Sequence, residues 1–328
     1  MLQHYFLFLA ETATLVVALL LLAAGFVGLG RRRGRGGASG IQITDLRQEL
    51  HQHGAQVLHA RLGRKSAKTA LRKLKKQDRD IARTEGPCTY VLDFRGDLRA
   101  SALGALREEI STLLAIRQNG DRVYVRLESG GGMVNAYGLA AAQLLRLRNA
   151  SIPLTVLVDS VAASGGYLMA AVADEIVASP FAILGSIGVI AQVPNFHRWL
   201  RERHIDFEQF TAGRFKRTVS LFGENTEAGR QKLREDLENI HAHFRELVGR
   251  FRPQVDLEKV ATGETWLGSQ ALELGLVDRL ATSDAEILQA AETGRVLRLQ
   301  HFRRQSLTQR LGMRAQGVWE GLWKPPVF

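Results

Sequence analysis

The sequence predicts an α/β domain on a mainly parallel sheet, preceded by one N-terminal transmembrane helix and a basic helical linker. Three observations carry this. Short apolar runs alternate with stretches of helical period from Tyr90 to Ala173, the spacing of βα units. Two glycine-rich turns, Gly130–Gly132 and Ser164–Gly166, stand at the carboxyl ends of predicted strands, where such sheets form their sites. Finally, Tyr5 to Leu29 is apolar apart from Glu11 and a few small polar residues.

That first stretch, as a helix, reaches roughly 37 Å, enough to cross a bilayer. Its uninterrupted core, Leu15–Leu29, is short enough for a signal peptide. However, no Lys or Arg precedes it, and the Arg31-Arg-Arg-Gly-Arg35 run behind it resists transfer, so the segment reads as a retained anchor. Glu11 lies near the end that reaches the interface. The positive-inside rule places Arg31–Arg35 in the cytoplasm. Phe181–Val193 is too short for a second span and is expected as buried strand or loop.

Charge is concentrated behind the anchor. Residues 31–85 hold 15 Lys and Arg against 5 Asp and Glu, net +10 of the chain's +11. After a Gly-rich hinge at Gly34–Gly40, Thr44 to Arg83 has a helical pattern with a thin apolar stripe that includes Leu46, Leu50, Leu71 and Leu74. Such a helix suits an anionic lipid surface or a solvated linker. Nucleic acid is disfavoured, because no aromatic side chain between Ile41 and Arg83 could stack on bases. The single cysteine, Cys88, excludes an internal disulfide framework.

From Gly86-Pro87 onward the elements follow in order. Tyr90–Phe94 is a strand, Leu103–Ile116 an amphipathic helix and Val123–Leu127 a second strand entering Ser129-Gly-Gly-Gly132. Asn135–Arg148 is a helix, Leu154–Val158 a third strand, and Ser164 opens the next helix. Phe207–Phe210 is expected as a short strand and 211–217 as a loop. A long helix follows, capped by Asn225 or Thr226, buried along Leu233, Leu237, Ile240, Phe244, Leu247 and Phe251, and ended by Pro253. A short helix and a buried turn lie within Gly263–Leu280. The Arg-rich tail after about Gln300 carries no signal.

Ser164 is the candidate nucleophile. Flanked by Ala and Gly at a strand-to-helix turn, it lies open to a substrate backbone at the positive end of a helix, where N–H groups can receive an oxyanion. The same hydroxyl would also suit a plain helix cap. A base is needed. His197 and His204, with Asp159 or Asp174, are the nearest parts of a triad, but both histidines fall in a polar, solvated stretch. A lysine base requires desolvation and positive neighbours to lower its pKa by some three units from about 10.4. Lys216 qualifies by type, although its spacing alone reads as a surface lysine in an Arg-Phe-Lys-Arg patch. The nine histidines show no zinc-binding spacing, and no metal or cofactor is expected.

Five motifs add to this reading: Glu128-Ser-Gly-Gly-Gly-Met-Val134; Asp159-Ser-Val-Ala-Ala-Ser-Gly-Gly-Tyr167; Gly185-Ser-Ile-Gly-Val189; Thr211–Thr218 with Gly223-Glu-Asn-Thr226; and Gly263-Glu-Thr-Trp through Asp278. In this order, Tyr90–Leu280 resembles the catalytic domain of the signal peptide peptidase A family of serine peptidases, most closely its short branch with one anchor and a basic linker. The resemblance implies a fold like the Clp protease subunit and crotonase, built from repeated ββα units. It implies a serine–lysine dyad of Ser164 as nucleophile and Lys216 as general base, with Ser186 bonding the lysine ammonium. It also implies an oxyanion hole from the Gly132 and Gly165 amides beside Gly131. In single-domain relatives the dyad is completed across protomers of a ring, so a homo-oligomer is implied. One departure stands out: the family usually has proline where this chain has Gly130, which leaves the following amides looser.

The expected organisation is an anchor over 1–30, a basic hinge and helical linker over 31–86, a peptidase domain over 87–300 and a basic tail over 301–328. The expected function is a serine endopeptidase of the bacterial cytoplasmic (inner) membrane, single-pass, acting through an acyl-enzyme on unfolded or membrane-derived peptides with apolar side chains. The arginine run favours a cytoplasmic catalytic domain and many relatives the opposite face, which leaves the side open. Two other classes compete. One is a membrane scaffold that keeps the fold without the activity, which would not react with a serine-directed probe. The other is a crotonase-like acyl-coenzyme A enzyme, which has no use for Ser164 and Lys216 together.

Overall fold

The computed structural model describes residues 39–83 and 86–303, together with Thr12 and Thr14. The predicted anchor over 1–30 and most of the 301–328 tail lie outside the described residues. Among the described residues, no helix is long and apolar enough to cross a membrane. Residues 42–300 form one compact unit.

The main path of the sheet runs β1-β10-β2-β3-β4-β6-β9. The strands are β1 (Ser39–Asp45), β2 (Cys88–Gly96), β3 (Arg122–Ser129), β4 (Leu154–Val158), β6 (Glu175–Ala178), β9 (Arg279–Leu280) and β10 (Arg295–Arg303). From β10 to β9 every pairing is parallel. Helices α3 (Leu103–Ile116) and α4 (Val134–Asn149) make the crossovers, and α5 (Gly165–Ala171) follows the short strand β5 (Val161–Ala163). Central strands read as continuous apolar runs because both faces are covered. Thus Val91, Leu92 and Phe94 of β2 and every residue of β4 are buried.

A side branch of the sheet positions the site. β5 pairs with the end of β3 (Ser129 opposite Ala162) and, on its other edge, with β7 (Ile183–Gly185). β7 in turn pairs antiparallel with β8 (Thr265–Leu267). Three neighbouring parallel strands therefore end side by side at Ser129, Ala163 and Gly185.

The predicted helices and strands between Tyr90 and Ser164 are all present. The long helix is α7 (Glu227–Phe251), capped by the Thr226 side chain, which accepts from the Gly229 N–H at 3.1 Å. Between β7 and α7 lies α6 (His197–Glu202), which buries none of its residues. Further on come α8 (Leu257–Val260), α9 (Gly268–Glu273) and α10 (Ser283–Thr293).

Three expectations need correction. Phe207–Phe210 is not a strand. It lies against no sheet edge; Phe207 packs with Phe196 around the Phe222 ring, while Phe210 is left exposed. The basic segment is not one helical run from Thr44. Thr44 and Asp45 belong to β1, and the rest breaks at Leu62-Gly63 into α1 (Leu46–Arg61) and α2 (Arg64–Arg83). In the 181–193 stretch, only the start forms a strand. Phe181 and Ile190, expected to be buried, are 81% and 76% exposed.

Candidate active site

Ser164 occupies the turn between β5 and α5 with φ 50° and ψ −122°. A side chain with a Cβ at positive φ is strained by about 1–3 kcal/mol and persists only where its surroundings over-determine it. Here they do. The Ser164 N–H donates to the Gly185 carbonyl at 2.8 Å, and its carbonyl accepts from the Leu168 N–H at 3.0 Å. Its hydroxyl makes no capping bond to the helix, so the plain cap reading fails.

The glycine turn after β3 lies directly against this elbow. Gly131 has φ +88°, and a Cβ placed there would come within 2.7 Å of the Ser164 Cβ and 2.6 Å of the Gly165 nitrogen. Only glycine permits that approach. The turn is held from beneath by a buried relay. The Tyr137 hydroxyl donates to the Asp97 carbonyl at 2.7 Å, which makes Ser129 the donor in its 2.6 Å bond to Tyr137. The Ser129 oxygen is thereby free to accept the Gly131 N–H at 3.1 Å. Burial pushes the Tyr137 phenol pKa up, against the bond from Ser129, and thus keeps it a donor.

The three glycine amides differ in their hydrogen bonding. The Gly131 N–H is occupied inside the turn. The Gly132 N–H has no acceptor among the described residues, while the next amide, Met133, donates to the Leu98 carbonyl at 2.8 Å. Gly165 is the first residue of α5, where N–H groups lack intrahelical partners. Gly165 also has to be glycine, since a Cβ there would lie 2.5 Å from the Tyr137 ring. Two amides without partners among the described residues, those of Gly132 and Gly165, thus belong to the two turns that meet at Ser164.

Ser186 lies one residue past β7 with φ 48°, half-buried. Its N–H donates to the Glu264 carbonyl at 2.6 Å. The motifs around 128–134, 159–167, 185–189 and 263–278 thus converge on one corner. The fifth does not join them. Lys216 is exposed, its backbone N–H closes a turn onto the Gly213 carbonyl at 3.1 Å, and no hydrogen bond links its ammonium to Ser164 or Ser186. The loop is tied elsewhere, by Asn195 donating to the Ser220 and Gly223 carbonyls and by the Lys232 ammonium over the Phe215 ring.

The rival base sets are not assembled. Asp159 accepts from the Ser283 N–H and hydroxyl, and Asp174 from the Leu154 N–H beside Arg148. Neither carboxylate bonds His197 or His204. Among the described residues no group of His, Cys, Asp and Glu could hold a metal ion. Sequence reasoning missed Tyr137 and Leu98, because an interior tyrosine on a helix reads as core until its partners are known.

Comparison with known proteins adds the lineage. The description "Peptidase family S49" matches residues 146–297, and "Peptidase family S49 N-terminal" matches 1–144. Over 96% of this chain and 93% of the relative, the sequence is 42% identical to a probable protease SohB of Haemophilus influenzae. The chain belongs to peptidase family S49. The resemblance read from the five motifs is borne out, and the S49 match makes the chain a SohB-like protease-family member. A second S49 relative, the probable protease SohB of Buchnera aphidicola from Schlechtendalia chinensis, is 48% identical over 65% of this chain and 70% of its own length. Protease 4 of Salmonella typhi is 30% identical over 53% of this chain but only 28% of its own length.

Proposed function

We propose that this S49 member is a membrane-anchored serine endopeptidase in which Ser164 is the nucleophile and Lys216 the general base. The observation that carries this reading is the Ser164 elbow: a strained serine, its hydroxyl uncommitted, with the amides of Gly132 and Gly165 beside it. In the reaction, Lys216 takes the Ser164 proton as the oxygen attacks the scissile carbonyl. The resulting oxyanion is received by the Gly132 and Gly165 N–H groups, with Gly131 holding the turn. The lysine then gives its proton to the departing amine, leaving an acyl-enzyme, and water activated by the same lysine releases the acid. Ser186 orients the ammonium.

In this reading the sheet and its side branch are the repeated ββα units of a Clp protease or crotonase-like fold. The peptidase domain is 87–300, between the 31–86 linker and the 301–328 tail, with 1–30 as a single-pass anchor in the bacterial inner membrane. The substrates are unfolded or membrane-derived peptides, and no cofactor takes part. The exposed Lys216 loop carries apolar neighbours, among them Phe210 (89% exposed) and Phe215. That is the surface a second copy of the chain would cover in a ring, bringing Lys216 to Ser164 across the interface.

Labelling with a fluorophosphonate probe tests this. Labelling of the detergent-solubilised wild type, lost in both Ser164→Ala and Lys216→Ala, supports the dyad. Labelling that survives Lys216→Ala makes the base another group. No labelling of an assembled wild type favours a scaffold that has kept the fold and lost the chemistry.

A further inference from the structure

Helix α2 treats its charges unlike the other long surface helix. On α7, cations are answered locally: Lys232 pairs with Asp236, and Arg230 and Arg234 both with Glu227. On α2, Lys65, Lys68, Arg72, Lys75, Lys76 and Arg79 are exposed, and none has an acidic partner among the described residues. At 3.6 residues per turn these six fall within a sector of about 100°, a stripe roughly 21 Å long. Leu71, Leu74 and Asp78 face α1 across a cavity whose rim Lys75 and Arg79 also line, and Ala67 is buried. Like charges at i,i+3 and i,i+4 repel one another. A helix that places Lys68 before Arg72, Arg72 before Lys76, and Lys75 before Arg79 is therefore built to be neutralised from outside.

The stripe is also coupled mechanically to the peptidase body. Asp78, on its packed side, accepts from Arg47 at 2.9 Å and lies 2.8 Å from His51 Nδ1. The Arg47 guanidinium reaches on to the carbonyls of Ala291 and Glu292 at the end of α10. A surface that captured α2 would thus hold the whole domain at a set orientation.

We propose that the α2 stripe docks on the anionic lipid headgroups of the bilayer and fixes how the catalytic corner faces the membrane. The proposal rests on the anchored reading above: an apolar stretch at 5–29 ahead of the helix keeps the stripe near the bilayer at high effective concentration. A polynucleotide is the poorer fit, since residues 41–83 hold no aromatic side chain to stack on bases.

The full chain, reconstituted in nanodiscs of neutral phosphatidylcholine or of phosphatidylcholine with phosphatidylglycerol, tests this. A fluorophore on Thr69→Cys sits beside the stripe, and the native Cys88 is buried. The expected result is quenching by headgroup spin labels in anionic discs, weak in neutral discs and lost on raising salt. The combined Lys68→Glu, Arg72→Glu and Lys75→Glu exchange should abolish it. Retention through an alkaline wash reads the anchor separately. A chain retained by the wash but unquenched in anionic discs overturns the docking and leaves the anchor standing. Quenching confined to anionic discs, with the chain stripped by the wash, supports the docking and sinks the anchor. Equal quenching in both discs, or quenching abolished by added RNA at constant salt, overturns the docking.

Discussion

The Ser164 elbow and the Lys216 loop are the two halves of the proposed reaction, and they are built in opposite ways. The elbow is over-determined: three parallel strand ends, a glycine turn with no room for a Cβ and a buried tyrosine relay all fix one serine. The loop is exposed from Phe207 to Arg217, closes on itself and bonds nothing at the elbow. Electrostatic stabilisation needs donors fixed before the reaction begins. A lysine base needs removal from water. One chain meets the first need and leaves the second to a further surface.

The largest expected effect breaks this comparison outright. Ser164→Ala and Lys216→Ala should each lower peptide hydrolysis by about 10⁶, as loss of a nucleophile or its base does elsewhere. If the lysine acts across protomers, mixing the two inactive variants under conditions that let subunits exchange should restore part of the activity. Activity that stays absent in mixed assemblies would place both groups in one chain. Lys216→Arg should not rescue, because a guanidinium does not give up its proton near neutrality.

Next in size is Gly131→Ala. The new Cβ would meet the Ser164 Cβ and the Gly165 nitrogen inside 3 Å, at a backbone φ of +88°. The oxyanion donors should move, with a loss of about 10²–10³ in kcat. The same exchange at Gly213, on the loop, also has positive φ but meets nothing within 4 Å, and its effect should be far smaller. Comparable losses at the two glycines, measured side by side, would contradict the contrast between a packed half and an open one.

Tyr137→Phe should act more mildly. It leaves the buried Ser129 hydroxyl without its acceptor, at a cost of about 1–3 kcal/mol. Freed from the tyrosine, Ser129 can turn away from the Gly131 N–H. The expected outcome is a kcat reduced about 10-fold to 100-fold at nearly unchanged KM, in protein that still folds by circular dichroism. A change confined to KM would mean that the relay supports substrate binding and not the oxyanion turn.

The elbow was the more legible half in the sequence, and the reason is physical. Alternating strands and helices, glycines at strand ends and a serine amid Ala and Gly are all local signals, and they placed Ser164 at the turn it occupies. What joins them is not local. That β5 lies between β3 and β7, so that Ser129, Ala163 and Gly185 end together, depends on pairings between distant segments. Tyr137 could not be told from an ordinary core residue for the same reason. Phe207–Phe210 has strand-like composition but no edge to pair with, so Phe207 packs on Phe222 and Phe210 stays exposed. Strand β10 was missed because Arg295 and Arg298 interrupt its apolar run, although Val296 and Leu299 are buried beside β2. The role of Lys216 came from motif resemblance, since neither its spacing nor its surroundings in one chain show a base.

The smallest effect tests how complete the elbow already is. Gly130 stands where the motif resemblance implies a proline. Its Cβ position is open, and its φ lies outside the left-handed region. The preceding Ser129 ends a β-strand, the conformation that proline imposes on the residue before it. Gly130→Pro should therefore be accepted and should stabilise the fold by about 0.4–1 kcal/mol through the unfolded chain, read as a higher denaturant midpoint. Its effect on kcat separates two sources of order. If the Tyr137–Ser129 relay already holds the Gly131 turn, the proline has nothing left to fix and kcat stays within a factor of about two, a difference of only ~0.4 kcal/mol. If kcat rises well beyond that, the turn is looser in solution than its hydrogen bonds imply. The contrast with the Lys216 loop is then one of degree. A double variant with Tyr137→Phe decides between the two: proline should recover much of the lost kcat only where the relay and the ring restrain the same turn.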